Sequence, residues 1–148
     1  MENRNPPIKT FALTIRPYGG ITDEQIELVR KYVVRKCDYY SLITEKEDDQ
    51  RHLHAGLFLK KSASRSNVCN EVLRLFKDLT PAEKSVLRDG IKVMYNADFV
   101  NNYLTKGDNT VVIARSLPEV KTMENYFAAV PPKKKKGPAS VDPFYANL

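Results

Sequence analysis

Hydrophobic residues follow two different periods along the chain, and these periods predict an alternation of strands and helices. In residues 8–17 apolar side chains occupy every second position, which is the period of a half-buried strand. In residues 23–37 they recur every three to four positions behind Thr22, a residue suited to cap a helix. The same criteria predict further strands at 39–45, 52–60, 91–96 and 110–115, and helices at 64–79, 80–90, 97–107 and 117–127.

The order of these elements predicts an α+β domain. Residues 39–60 form a predicted hairpin, which is incompatible with a purely parallel sheet. We expect residues 1–129 to form a single domain with a central antiparallel sheet and helices mainly on one face, as in ferredoxin-like or RRM-like folds. The other face of the sheet would be free to hold a functional site. Residues 130–148 contain the lysine run 133–136 and no hydrophobic period, so we expect a linker or tail.

Composition narrows the class of protein. A hydrophobic content of 42% and a charged content of 28% are typical of a soluble globular domain. No stretch approaches the ~20 apolar residues of a membrane span, and the N-terminus lacks the apolar run of a secretion signal. We therefore expect an intracellular protein without a membrane partner. Cys37 and Cys69 have no metal-type spacing and are expected to be reduced and buried.

The net charge of +6 is unevenly distributed. Residues 131–148 hold four lysines and one aspartate and contribute +3, so the remaining 130 residues also contribute +3. A mildly basic domain permits a polyanionic partner without requiring one. The lysine run Lys133–Lys136 is compatible with a nuclear localisation signal, a DNA-binding patch or a soluble linker.

Both histidines of the chain lie on one predicted strand, and they are the first candidates for chemistry. His52 and His54 are two residues apart and therefore point to the same face of the strand, where Gly56 would leave open space. If residues 46–51 form the turn, Glu45 lies opposite His52 and joins that face. Two imidazoles and a carboxylate suit Mn²⁺ or Mg²⁺ at a phosphate, although the ligands alone do not exclude Zn²⁺. The alternative is a pair of surface histidines that bind no metal.

The second candidate is the sequence "VNNYLTKGD", residues 100–108. Tyr103 and Lys106 are three positions apart on a predicted helix and therefore share a face. A tyrosine hydroxyl, with a usual pKa of about 10, is a poor nucleophile at neutral pH unless a neighbouring positive charge assists it. Phosphate is a natural electrophile for such a pair. Alternatively, Tyr103 is a packing residue and Lys106 stabilises the helix C-terminus.

The segments "FALTIRP", "HLHAGLF" and "NYLTKGD" occur in this order, and together they resemble the three motifs of rolling-circle replication initiators. These proteins belong to the HUH endonuclease superfamily, and the resemblance is greatest to the Rep proteins of circular single-stranded DNA viruses. It covers about residues 8–115. It implies that His52, His54 and Glu45 bind a divalent metal, Mn²⁺ or Mg²⁺, which polarises a phosphate of single-stranded DNA at an origin stem-loop.

The resemblance also implies the reaction. Tyr103, with Lys106 beside it, would attack that phosphate and form a covalent 5′-phosphotyrosine intermediate with a free 3′-hydroxyl, from which the strand can be rejoined. Asp108 corresponds to an acidic residue that some relatives carry near the metal. Nicking at the origin would initiate rolling-circle replication. For a virus of a eukaryotic host, this would take place in the host nucleus with host replication proteins as further partners.

Polar and basic residues outside these motifs are candidates for contacts with DNA. Thr14 and Arg16 share one face of the first strand and either contact DNA or support the sheet. Lys60, Lys61 and Arg65 would contact the phosphate backbone, and such binding weakens as salt is added.

Other functions and a longer protein stay open. The chain has no G-x-x-x-x-G-K-[ST] sequence, so the helicase domain of many full-length relatives would lie C-terminal to it, unless the protein is a naturally short initiator. The main alternative function is a non-catalytic single-stranded nucleic-acid-binding module, with Phe11, Tyr39, Phe58 or Tyr95 as stacking platforms. A phosphodiesterase that uses water instead of tyrosine as nucleophile is a further alternative.

Overall fold

The computed structural model describes residues 8–102 and 109–129. Its strands are β1 (Ile8–Ile15), β2 (Cys37–Glu47), β3 (Gln50–Ala63), β4 (Ile91–Val93) and β5 (Thr110–Ser116). Its helices are α1 (Asp23–Lys36), α2 (Arg65–Leu75), α3 (Pro81–Asp89), α4 (Asp98–Asn102) and α5 (Val120–Met123). Each of the ten predicted elements is present, although α5 covers only four of the eleven residues predicted for it.

One antiparallel sheet organises the fold. Its strand order is β4-β1-β3-β2-β5, and every neighbouring pair is antiparallel. The first elements follow the split βαβ order of ferredoxin-like folds, and β5 extends the sheet beyond β2. The predicted α+β class with a single antiparallel sheet is therefore confirmed. None of the helices within the described ranges is long and apolar enough to cross a membrane.

Polar residues define the helix starts as the sequence predicts. The hydroxyl of Thr22 accepts a hydrogen bond from the Gln25 backbone N–H at 3.1 Å, and the Gln25 side chain accepts one from the Thr22 N–H at 2.9 Å. Thr80 forms the same reciprocal cap with Glu83 at the start of α3, and Pro81 occupies the first helical position. These caps satisfy backbone donors that the first turn of a helix leaves unpaired.

The main hydrophobic core lies between the sheet and helices α1, α2 and α3. The leucine face of β3, predicted from its alternation, supplies the fully buried residues Leu53, Ala55 and Leu57. Cys37 and Cys69 are buried in the same cluster and form no disulfide, as predicted. Burial raises the pKa of the Cys37 thiol to about 12, so this thiol stays protonated at neutral pH.

The opposite face of the sheet is not free, contrary to the expectation. A second, smaller cluster packs there around Phe58, Met94, Val100 and Met123. Val100 belongs to α4 and Met123 to α5, so these two short helices cover part of the face that carries the histidines. The spacing of hydrophobic residues predicted that each short helix exists, but not which face of the sheet it packs against.

The hairpin between β2 and β3 is tighter than predicted. Both strands continue to a two-residue turn at Asp48 and Asp49, which have φ values of +53° and +63°. Positive φ at both central residues is the requirement of a type I′ hairpin turn, and aspartate tolerates it better than most residues. The predicted turn at 46–51 was therefore too long. The predicted turn and the observed turn are both centred between residues 48 and 49, so the predicted strand register is unaffected.

Candidate metal centre

The β2–β3 hairpin brings together the three predicted metal ligands. Glu45 pairs with His52 across the hairpin, and Ile43 pairs with His54, which confirms the predicted register. Side chains at alternate positions share a face, so Glu45 reaches both imidazoles. Its Oε1 atom lies 2.8 Å from Nε2 of His54 and 3.3 Å from Nε2 of His52.

The spacing of these atoms fits a single metal ion. One ligand atom from each of Glu45, His52 and His54 can be chosen so that all lie within 4.8 Å of one another. Two ligands at right angles, each about 2.1 Å from an ion, are about 3.0 Å apart, which is close to both carboxylate–imidazole distances. The three side chains are therefore close enough together to bind one ion. Two nitrogens and one oxygen leave further coordination positions for water or a phosphate.

Burial keeps the two imidazoles in their neutral form. His52 and His54 are 4% and 3% exposed, whereas the Glu45 side chain is 17% exposed, so the carboxylate connects the pair to solvent. Desolvation lowers the pKa of both imidazoles below 6.5, and the positive charge of Arg16 acts in the same direction, while Glu45 opposes it. The pair is therefore neutral at pH 7, and the neutral imidazole is the form that ligates a metal.

Thr14 fixes the orientation of the second histidine. It pairs with His54 across β1 and β3, and its hydroxyl lies 3.4 Å from Nδ1 of that ring. A metal at Nε2 requires the proton on Nδ1, where the Thr14 hydroxyl is available to accept it. The DNA contact and the sheet support predicted for Thr14 stay predictions, and the structure adds a contact between its side chain and a candidate ligand.

The chain matches no protein-family model, no curated protein and no solved structure. The functional interpretation therefore depends on the motifs and on the geometry of this site.

A short helix packs directly beside the metal centre. Phe99 of α4 makes an edge-to-face contact with His54, with ring centroids 6.0 Å apart. Val100 is 1% exposed, and a Cβ atom on Gly56 would lie 2.5 Å from its Cγ1 atom. Gly56 was expected to leave open space. Instead, its missing side chain allows α4 to approach the sheet.

Arg115 on β5 holds the same helix, and the sequence did not predict this residue. Its guanidinium donates hydrogen bonds to the Val100 carbonyl at 3.2 and 3.3 Å and to the Ser41 hydroxyl at 3.0 Å. Carbonyls of the last helical turn lack partners within the helix, so a cation there is stabilising. The arginine that directly follows the apolar residues "VVIA" on this predicted strand is the sequence signal for this role.

The other predicted DNA-contacting residues lie in three different places. The exposed Arg16 is 3.7 Å from Glu47 and lines a cleft of about 250 Å³ with Tyr18, Arg51 and His52, beside the metal centre. Lys60 and Lys61 are exposed near the other end of β3.

Arg65 is engaged with the protein backbone. Its Nε donates to the Ile91 carbonyl at 2.6 Å, and its Nη2 donates to the Arg88 carbonyl. It thereby connects the start of α2 to the segment that joins α3 to β4. Its predicted DNA contact stays a prediction, and the structure adds a packing role.

The predicted nucleophile and its neighbours lie outside the described residues. These are Tyr103, Lys106 and Asp108, and the lysine run in the predicted tail 130–148 lies outside them as well. All four alternative stacking platforms are described: Phe11 and Phe58 are both 0% exposed, so neither can stack on a base, whereas Tyr39 and Tyr95 are partly exposed.

Proposed function

We propose that this protein nicks and rejoins single-stranded DNA at a replication origin, with Tyr103 as nucleophile and a divalent metal at Glu45, His52 and His54. One observation carries the proposal. The helix that leads into the Tyr103 motif, α4, packs on the same face of the sheet as the candidate metal ligands and contacts one of them through Phe99.

The short covalent connection supports this combination of metal and tyrosine. Tyr103 follows Asn102, the last residue of α4, by one peptide bond, and consecutive Cα atoms are 3.8 Å apart. Contacts at Gly56 and Arg115 hold α4 against the sheet from two sides. These contacts hold α4, the last element described before Tyr103, on the histidine face. The proposal requires the phenolic oxygen and the bound ion to reach the same phosphate.

In the proposed reaction, the metal ligands, Tyr103 and Lys106 have different roles. A divalent ion bound there would supply Lewis-acid polarisation of the scissile phosphate, and its mixed nitrogen and oxygen ligands favour Mn²⁺ or Mg²⁺. The Tyr103 phenol loses its proton as its oxygen forms a bond to phosphorus, the bond from phosphorus to the 3′-oxygen breaks, and that oxygen takes up one proton and leaves as a 3′-hydroxyl, so protons balance over the step. Lys106 provides positive charge beside the phenol. The reverse attack by a 3′-hydroxyl rejoins the strand.

The alternatives differ in their product. A phosphodiesterase with a water nucleophile would cut DNA and leave no link to the protein. A non-catalytic binding module would leave the DNA intact, and the burial of Phe11 and Phe58 removes two of the four aromatic platforms that it would use. A covalent adduct through Tyr103 is therefore the decisive product.

The test uses a pool of 3′-labelled single-stranded 40-mers of random sequence, incubated with the protein and Mn²⁺ and separated on a denaturing gel. We expect a slowly migrating protein–DNA adduct with the unmodified chain and with Tyr95→Phe, which changes a tyrosine upstream of α4. We expect none with Tyr103→Phe or with chelator. Cleaved DNA without an adduct would favour the water mechanism, and an undiminished adduct with Tyr103→Phe would disprove the assigned nucleophile.

A further inference from the structure

Two adjoining clefts at the far end of β3 form a strongly basic surface. One cleft, of about 430 Å³, is lined by Arg35 and Lys36 of α1 and by Lys60 and Lys61 of β3. The other, of about 290 Å³, shares the two α1 residues and adds Arg74 of α2. We refer to these five cations and their two clefts as the basic cleft pair.

The basic cleft pair is only partly neutralised. Among the described residues that line it, Glu71 is the single carboxylate, and it accepts a hydrogen bond from the Tyr32 hydroxyl at 2.8 Å and lies 3.8 Å from Lys36 Nζ. Within the described ranges, the other four cations have no carboxylate within ion-pair distance. Five cations and one carboxylate leave a net charge of +4, which exceeds the +3 of residues 1–130 as a whole. The rest of the domain therefore carries a net charge of −1.

This surface is separate from the metal centre. Lys60 and His52 are eight residues apart on one strand, which corresponds to about 26 Å at 3.3 Å per residue. The end of the sheet that carries the histidines has four carboxylates around the turn, Glu45, Glu47, Asp48 and Asp49, and three cations, Arg16, Lys46 and Arg51, which gives a net charge of −1. Such an end gives a polyanion little net attraction. DNA that reaches the metal centre therefore needs favourable electrostatic contacts elsewhere.

We propose that the basic cleft pair binds the phosphate backbone of duplex DNA next to the single strand that is cut at the metal centre; this inference rests on the proposed function. A distance of about 26 Å corresponds to roughly eight base pairs at 3.4 Å per pair. Binding here would supply affinity without reading sequence, because phosphate contacts position a protein on DNA while contacts to the bases specify the site.

The clefts favour a duplex over a single strand. Proteins that bind single strands combine positive charge with aromatic side chains on which bases stack. Tyr32, the one aromatic residue among the described lining residues, is 2% exposed, and its hydroxyl is bonded to Glu71. A surface of exposed cations without a stacking platform can contact a backbone but not unstacked bases.

The test measures binding of a labelled 20-base-pair duplex of arbitrary sequence by fluorescence anisotropy, in chelator and between 50 and 200 mM salt. For Lys60→Gln/Lys61→Gln we expect the slope of log affinity against log salt to become shallower by about 1.8, at about 0.9 per lost phosphate contact, with roughly tenfold weaker binding. The control Lys84→Gln/Lys121→Gln removes two exposed lysines of α3 and α5 and should retain most of the affinity.

A third variant changes affinity in the opposite direction. Glu71→Gln keeps an acceptor for the Tyr32 hydroxyl but frees Lys36, so it should tighten duplex binding. Equal losses in the two double-lysine variants would show that only net charge matters and would overturn the proposal. A larger loss for a single-stranded 20-mer than for the duplex would overturn it as well. Because the assay uses intact DNA without metal, a failure of the nicking reaction does not affect its result.

Discussion

Gly56 of β3 and Val100 of α4 are in direct contact, and the contact is possible only because residue 56 has no side chain. A Cβ atom at Gly56 would lie 2.5 Å from Val100 Cγ1 and 3.8 Å from a ring carbon of Phe99. Gly56 lies two residues beyond His54 on the same face of the same strand. The contact therefore connects the strand that carries both histidines to the helix that leads into the Tyr103 motif.

A methyl group at Gly56 should displace α4 from the sheet. We expect Gly56→Ala to lower the free energy of unfolding by about 1–3 kcal/mol, the usual cost of overpacking a buried site. If the proposed function is correct, the variant also loses adduct formation while it still binds Mn²⁺. Urea unfolding and the adduct gel measure the two effects.

The second-site variant Val100→Ala provides the control for this prediction. Because it removes the atoms that the new methyl group would contact, the double variant should recover stability relative to the sum of the two single variants. Additive losses of stability in the double variant would show that contact with Val100 is not what destabilises Gly56→Ala.

Glu45 should be required for metal binding, whereas its neighbour Glu47 should not. Glu45 lies beside both imidazoles, and Glu47, two residues further along β2, contacts Arg16 instead. We expect Glu45→Gln to weaken Mn²⁺ binding at least tenfold and Glu47→Gln to leave it nearly unchanged. Isothermal titration gives the affinities directly. In thermal unfolding, an ion at about 100 times its Kd should stabilise the unmodified chain by about 2.7 kcal/mol. Equal losses in the two variants would disprove the assigned ligand set.

The stability of the metal-free protein should fall as the pH drops below about 6.5. Burial lowers the pKa of His52 and His54 in the folded chain, so the unfolded chain binds more protons in this range and is favoured by acid. The stabilisation is complete above the unfolded pKa of about 6.5 and is lost as the pH falls towards the folded values. For each histidine, a pKa difference of one between the two states corresponds to about 1.4 kcal/mol.

Urea unfolding in chelator between pH 7.5 and 5 measures this dependence. The range stays above the values at which Glu27 and Glu83 titrate, because hydrogen bonds hold the pKa of both carboxyls below 4.5. The double variant His52→Gln/His54→Gln cannot titrate and should lose most of the slope between pH 6.5 and 5. An unchanged slope in that variant would assign the pH dependence to other groups.

Much of the candidate site could be predicted because it depends on local rules. The alternation of β3 is enough to place His52 and His54 on one face and the leucines on the other. The position of Glu45 follows from pairing across a short turn, and the register was correct although the turn was predicted four residues too long. A hairpin is a local structure, so its partners are only a few residues away in sequence.

Contacts between distant segments could not be predicted in the same way. Thr14 and His54 are 40 residues apart, and Arg115 and Ser41 are 74 apart, so no period along the chain relates them. The sheet order β4-β1-β3-β2-β5 brings these residues together. It also forms the sheet face on which α4 packs. The pairing of β1 with β3 also places Arg16 beside the metal centre, whereas Lys60 lies eight residues from His52 along β3 itself and belongs to the basic cleft pair.

The amino-acid sequence by itself determined the elements, the sheet class and the three ligands of the candidate metal centre, because periodicity, caps and hairpin register act over short separations. Only the tertiary structure decided that a second layer covers the histidine face, that Arg115 holds α4, and that cations from three elements form one surface. The physical reason is that long-range packing selects among many arrangements that are locally equivalent, and it does so through shape and burial across the whole sheet.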